Sequence, residues 1–343
     1  MTQPVTIIGG GLAGLTLGIG LRQRNVPVTI REAGQYPRHR VCGEFISGRG
    51  QDVLKRLKLH DLIQQAGAVP ARTIAFYSAT RSTAPRSLPA PAICLSRFAL
   101  DEVLAKRFRE LGGELHEHSR IEDFAEGVVR ATGRRLPTEK TGARWFGLKL
   151  HARNVSLAAD LEMHLSERGY VGLCKINDDE VNVCGLFQKH AAENHGPENW
   201  RDRLRGQSDS WLRQRFAHAN IDESSVCAVA GLSLQPQPAA ARFEICVGDA
   251  ITMIPPITGN GMSMAFESAE LAIEPLAAWS RHQLSWNHAR QQIAADCDSA
   301  FVRRLAWAKW LQRILLQKSL QNPFIMLAAR SDWFWRLAFE STR

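Results

Sequence analysis

Val5-Thr6-Ile7-Ile8-Gly9-Gly10-Gly11-Leu12-Ala13-Gly14, an uncharged run on to Leu21, then Val26-Pro27-Val28-Thr29-Ile30-Arg31-Glu32: this stretch decides the fold. The first four residues read as a short buried strand, the glycines as a tight turn, and Leu12 to Arg24 as a helix. A second apolar run then ends on an acid. Strand, glycine turn, helix, strand and acid in this order hold the adenosine half of a dinucleotide. Gly9 permits the turn, Gly11 lets the backbone approach a pyrophosphate, and Gly14 lets the helix lie close against the strand. The helix N-terminus at Leu12 and Ala13 offers unpaired N–H groups to phosphate. Glu32, about twenty residues beyond the glycines, is placed to accept hydrogen bonds from a ribose.

The chain of 343 residues is long enough for two joined lobes around large cores. Val5 to Leu21 carries no charge, but its glycines and strand-turn-helix pattern fit a buried nucleotide motif better than a membrane span. The Met-Thr-Gln-Pro start lacks the basic region of a secretory signal. The seven cysteines form no C-x-x-C pair and no zinc-spaced cluster, which fits inert thiols in a reducing cytoplasm. A net charge of +9 raises the question of nucleic acid. No arginine-rich run with interleaved aromatics and no nucleic-acid module accompanies it, so a basic surface for an acidic cofactor, electron donor or membrane fits better.

Glycines and an acid suit NAD and FAD equally. The next loop, Arg38-His39-Arg40-Val41-Cys42-Gly43-Glu44, separates them. With its Arg-x-Cys-Gly-Glu pattern the chain resembles the FAD-dependent oxidoreductases of the para-hydroxybenzoate hydroxylase fold, especially their geranylgeranyl-reductase-like branch. The resemblance implies FAD, with Arg40, Cys42 and Gly43 beside the flavin ring. Ser96-Arg97-Phe98-Ala99-Leu100-Asp101 also resembles the family, which implies that Arg97 lies by the cofactor. Read alone, it is equally a helix start with Ser96 as N-cap.

Near the other end, Phe243 to Val247 reads as a strand. Gly248-Asp249-Ala250 and Pro255-Pro256-Ile257-Thr258-Gly259-Asn260-Gly261-Met262 follow it, and then a helix to about Trp279. This resembles the second FAD fingerprint of the superfamily. Asp249 suits cofactor hydroxyls, with Gly248 permitting close approach. Pro256, Gly259, Gly261 and Met262 form the turn against the flavin, where the helix N-terminus favours the negative charge of reduced flavin. The resemblance covers about residues 1–280. No second G-x-G-x-x-G exists for a nicotinamide cofactor, so NADPH or NADH would bind transiently, or another carrier would supply electrons.

The expected architecture is a mixed α/β Rossmann-like FAD fold with an inserted antiparallel β-sheet lobe and a helical C-terminus. Residues 1–69, 94–142 and 236–283 make the FAD domain, 70–93 and 143–235 the substrate lobe, and 284–343 the C-terminal helices. Within these, single helices are predicted over Gln51–Leu62 and Asn199–His218. A hairpin is predicted around Asn177-Asp178-Asp179, with Cys174 and Cys184 as unpaired buried thiols. Ile121 to Val129 is too short for the β-meander of related flavoproteins, and Thr132-Gly133 replaces the Asp-Gly of hydroxylases.

Two enzymatic readings follow: a monooxygenase or a double-bond reductase, acting on a small aromatic or lipophilic molecule. Cys42 is the candidate proton donor of the reductase, with a small packing residue as the alternative. The chain has no Trp-x-Trp-x-Ile-Pro element of halogenases, and Tyr170-Val171-Gly172-Leu173 matches only part of the Tyr-x-Trp-x-Phe-Pro substrate motif of geranylgeranyl reductases. A non-catalytic FAD-binding sensor is the reading from another class. The tail is helical over Phe301–Leu315 and Pro323–Phe339. It packs on the body or a second subunit, or else sets Trp307, Trp310, Trp333 and Trp335 with their arginines against a membrane.

Overall fold

The computed structural model describes residues 2–134, 144–189 and 200–343. A parallel sheet is assembled first, from β1 (Val5–Ile8), β2 (Val28–Arg31), β6 (Glu114–His116), β7 (Val128–Arg130) and β13 (Ile245–Cys246) in the order β13-β7-β1-β2-β6. Val5 and Ile7 are fully buried because helices cover the sheet. Helix α1 (Leu12–Arg22) is buried from Leu12 through Leu21, which explains its lack of charge: it lies between the sheet, α4 (Arg97–Glu110) and α7 (Gly261–Ser280). Side chains at Gly18 and Gly20 would run into Phe108 of α4 and Ile273 of α7.

The second sheet has eight strands in the order β12-β8-β11-β10-β9-β4-β5-β3. They are β3 (Phe45–Ile46), β4 (Val69–Tyr77), β5 (Arg86–Cys94), β8 (Arg144–Arg153), β9 (Leu161–Ser166), β10 (Gly169–Lys175), β11 (Glu180–Lys189) and β12 (Asn220–Leu232). All pairs are antiparallel except β4 with β9. The β10–β11 hairpin turns at Asn177-Asp178-Asp179 as the sequence predicts, with Asn177 Oδ1 accepting from the Asp179 and Glu180 amides. Period-two alternation sorts the faces. Leu148, Leu150, Val171, Leu173 and Val183 pack outward on Leu204 and Leu212 of α5 (Trp200–Arg205) and α6 (Trp211–Arg215), while Gly147, Lys149, Tyr170, Gly172 and Cys174 face inward.

Several predicted elements change. Gln51–Leu62 is two helices, α2 (Arg49–Arg56) and α3 (His60–Gln65), because the chain turns at Lys58 with φ +56°. From Trp200 on, the expected Asn199–His218 helix breaks at Gly206, φ +72°, and restarts with Ser210 capping α6; Asn199 lies outside the described residues. The 142/143 domain boundary also lies outside them. The strand expected over Phe243–Val247 shrinks to β13, and Phe243 is 95% exposed. The tail forms α8 (Trp286–Leu316), α9 (Lys318–Arg330) and α10 (Asp332–Glu340), so Pro323 sits inside a helix rather than at its start.

The inner faces of these last helices pack on the body. Arg304 makes a buried two-pronged ion pair with Glu267 of α7 at 2.7 and 2.5 Å. Phe324 and Trp335 meet Phe76 of β4 edge-on. No described helix is long and apolar enough to cross a membrane.

Candidate functional site

A cavity of about 1100 Å³ runs between the two sheets. It is lined by Gly9, Gly11, Leu12, Ala13 and Glu32 at one end, and by Arg40, Cys42, Gly43 and Arg97 along one side. Gly248, Asp249, Pro256, Gly259, Gly261 and Met262 line it opposite. Of the cofactor-binding residues expected from the sequence, Gly14 alone is not on the wall. Its role is packing: a side chain there would drive into the Gly9 carbonyl.

The glycine end fits a diphosphate. Gly9 has φ +107°, and a side chain on it would collide with the backbone of Ala131, just beyond β7. A Cβ on Gly11 would meet nothing within 4 Å, so at Gly11 the missing side chain leaves open space beside the helix start. No side chain caps α1, leaving its first N–H groups free for an anion. Arg38, Arg40, Arg130 and Arg134 supply positive charge along the wall. Glu32 is held firmly, accepting from the Gly10 and Gly34 amides at 2.8 Å each and pairing with Arg38 at 2.6 Å. Burial works to raise its pKa, but the Gly34 amide and Arg38 outweigh it and hold the carboxyl below its ordinary value.

The second uncapped helix start is that of α7, whose N-cap residue Asn260 gives its side-chain amide to the Thr342 carbonyl instead. Two helix N-termini therefore converge on one cavity. Between them burial pushes the Asp249 carboxyl up to about 6, against the pull of Arg134 and Arg97. A neighbouring set of cofactor hydroxyls would relieve that desolvation by hydrogen bonding. The residues fit FAD, which would set its diphosphate at Gly11–Ala13, its hydroxyls at Asp249 and its ring end between Cys42 and the Gly259–Gly261 turn.

Two features of the wall escape the sequence reading. Asp101, fully buried, grips Arg97 with two hydrogen bonds of 2.8 Å and lies 3.3 Å from Arg40, so one carboxylate orients both arginines. Beneath the Cys42 loop lies a buried charged cluster. Glu44 accepts from the Arg97 amide at 2.9 Å and meets His151 at 2.7 Å and Lys149 at 3.6 Å. Lys149 Nζ is 3.0 Å from His39 Nδ1, and Asn182 donates to the Cys42 carbonyl at 2.9 Å. The signal was present: Lys149 and His151 alternate with Leu148 and Leu150 on one strand, which aims both at the same face.

Burial raises the Cys42 thiol pKa even though Arg97 opposes the rise, so the thiol keeps its proton at neutral pH. Past Cys42 the cavity becomes apolar, walled by Leu161, Met163, Tyr170, Gly172, Leu186 and Val229 from the eight-stranded sheet. Cys174 and Cys184 also line it, and neither is in a disulfide.

The same fold recurs in solved structures. The flavin-dependent brominase Bmp2 superposes with a TM-score of 0.79 at 16% identity, over 99% of this chain and 94% of that one. PqsL, a probable FAD-dependent monooxygenase from Pseudomonas aeruginosa, gives 0.70 at 16% identity over 94% and 99%. The fold is that of the para-hydroxybenzoate hydroxylase-type flavoproteins.

Among curated proteins, a 1H-pyrrole-2-carbonyl-[peptidyl-carrier protein] brominase of Pseudoalteromonas luteoviolacea is 21% identical over 93% of this chain and 88% of its own length. Conditioned medium factor receptor 1 of Dictyostelium discoideum is 26% identical over 141 residues, which span 38% of this chain and only 27% of that receptor. No family model matches the chain.

Proposed function

We propose that this chain is an FAD-dependent oxidoreductase and, within that class, a monooxygenase of a small aromatic or lipophilic metabolite. One observation carries the reading. A single cavity joins an end built for a diphosphate, with two uncapped helix N-termini and several arginines, to an end walled by apolar strand residues. Bound FAD would supply two-electron reduction and the activation of dioxygen.

The chain's own residues do the rest. Leu12 and Ala13 hold the diphosphate, and Glu32 fixes the turn that presents them. Asp101 aims Arg40 and Arg97 at the cofactor side of the wall. The α7 N-terminus favours negative charge at the ring end. Leu161, Met163, Leu186 and Val229 make the substrate end apolar and would keep water from it where bound FAD supplies oxygen chemistry. Electrons come from NADPH or NADH bound in passing, or from a protein carrier.

A second reading, the double-bond reductase, is favoured by one feature: Cys42 keeps a proton on the cavity wall beside Arg97, which would stabilise the thiolate left behind. Halogenation, which the likeness to two brominases supports, is the third reading; against it the sequence has no Trp-x-Trp-x-Ile-Pro element. The tryptophans of Trp145-Phe146 and Trp333-Phe334-Trp335, which share only the aromatic part of that element and lack its Ile-Pro, do not line the cavity.

The test starts with colour. Purified protein should be yellow, and anaerobic NADPH, NADH or a reduced carrier should bleach it. Dioxygen is then admitted with candidate aromatics, with and without bromide. Oxygenated product without halide supports the proposal, and brominated product reassigns the chain to halogenation. Reduction of an alkene without oxygen favours the reductase. A colourless chain that takes up no FAD overturns the proposal, and a yellow one that no donor bleaches leaves a sensor.

A further inference from the structure

Six of the eight large apolar side chains exposed among the described residues lie between positions 302 and 333: Val302, Trp307, Trp310, Leu320, Leu327 and Trp333. Trp333 is 73% exposed and Trp310 47%. They occupy the outer faces of α8, α9 and α10, opposite the buried Leu311, Phe324 and Trp335 that anchor these helices to the body. Interleaved with them are exposed Arg303, Arg313, Lys318, Arg330 and Arg336, whose side chains make no hydrogen bond or ion pair among the described residues. Two exposed acids share this face, Asp332, which pairs with Arg86, and Glu340 of α10, so the five cations outnumber them.

We propose that this face docks on an anionic bilayer surface, with the tryptophans at headgroup depth and the arginines on lipid phosphates. Tryptophan suits that depth because its ring is apolar and its N–H polar, and arginine forks onto phosphate oxygens. The composition argues against a second copy of the chain. A two-fold contact would press the five cations on their own copies, with only Asp332, already paired with Arg86, and Glu340 to meet them. The helices rest on the body through their inner faces, so docking needs no unfolding of the tail.

The position of the face also matters. The inner side of α9 and α10 packs in the same apolar cluster as Tyr170, Cys174 and Leu186 of the cavity wall. At the end of α10, Thr342 accepts from Asn260 and Arg343 donates to Ser47 at 2.9 Å, which ties the tail to the loops around the ring end. A bilayer on the outer side would lie close to a cavity that accepts lipophilic molecules. The docking itself does not depend on the FAD reading.

The experiment is co-sedimentation of the full chain with phosphatidylcholine vesicles, with and without phosphatidylserine. Binding is expected to the mixed vesicles and to fade with salt. A Trp307→Gln/Trp310→Gln/Trp333→Gln variant, which keeps every charge, should bind at least about tenfold more weakly. An Arg303→Glu/Arg313→Glu variant should lose binding while circular dichroism and melting stay as in the parent. Failure of the parent chain to sediment with anionic vesicles overturns the proposal. Undiminished binding of the tryptophan variant also overturns it, because net charge alone would then explain adsorption. So does self-association that either variant dissolves in the absence of vesicle binding.

Discussion

Glu44 Oε2 lies 2.7 Å from His151 Nε2, joining the Cys42 loop to the inner face of the eight-stranded sheet with both side chains out of solvent. Glu44 adopts φ +60°, a left-handed conformation that side chains rarely take. The carboxylate, satisfied by His151, Lys149 and the Arg97 amide, holds it there. Glu44→Gln removes the charge that faces Lys149 and leaves a fully buried ammonium unpaired. Breaking such a pair from one side costs about 3 to 5 kcal/mol, so a marked fall in melting temperature is expected. Removing both charges in Glu44→Gln/Lys149→Met should recover most of the loss, which a double-mutant cycle measures.

Asp101 is the other hinge of the site, because it positions two arginines and touches nothing in the cavity. Asp101→Ala frees Arg97 and Arg40 to swing from the wall. FAD affinity of the apo-protein, followed by quenching of flavin fluorescence, should fall at least about tenfold. Asp101→Glu, which keeps the charge, should restore part of it. Unchanged affinity would mean that the arginines do not serve the cofactor.

His39 and Asp249 give the apo-protein opposed pH dependences. Burial, with Lys149 and His151 adding to it, lowers the His39 pKa to about 4 from an unfolded 6.5. Between those values the unfolded chain binds a proton that the folded one refuses, so stability drains as pH falls from 6.5 towards 4. Asp249 has the other sign. Raised to about 6 from 3.8, it contributes stability below 3.8 that is lost as pH rises through 6. Urea midpoints should therefore fall less on acidification for His39→Gln than for the parent. Asp249→Asn should make the apo-protein more stable than the parent above pH 6 while weakening its hold on FAD.

How far the sequence foretells this site depends on the kind of signal. That Gly9, Gly11, Asp249 and Gly259 would line one cavity was legible because glycine turns of this kind carry particular residues at fixed spacing. Gly14 was legible for packing, and it packs. Asp101 was visible only as part of a helix start, because its partner Arg40 is sixty-odd positions away and no local pattern links them. Lys149 and His151 announced their direction by alternation, but their partner Glu44 sits across the fold. The helix breaks at Lys58 and Gly206 were missed because flanking periodicity survives a single left-handed residue. At the tail, all-round apolarity hid two populations on α8: Leu305, Ala308 and Leu311 inward, Trp307 and Trp310 outward.

Cys42→Ala separates the two enzymatic readings. Under the monooxygenase reading the thiol is a wall residue, and product formation should stay within about twofold with FAD binding intact. A loss of about 100-fold in product with the same FAD content would give the thiol proton a part in the reaction and move the assignment to the reductase.

Gly172 offers a handle on the substrate end that leaves the cofactor end alone. It lies on β10 between Tyr170 and Cys174, all three on the inner face and on the cavity wall. A Cβ there would come no nearer than 3.7 Å to any neighbour, the Cys184 carbonyl, so its backbone tolerates a side chain. Gly172→Ala should change little, whereas Gly172→Leu should project a branched side chain into the apolar end. The FAD spectrum and melting temperature are expected to stay near those of the parent, while KM for the largest accepted substrate rises at least about tenfold and small substrates are spared. If Leu at 172 displaced FAD while substrate size made no difference, the strand face would belong to the cofactor, and the substrate end would have to lie elsewhere along the cavity.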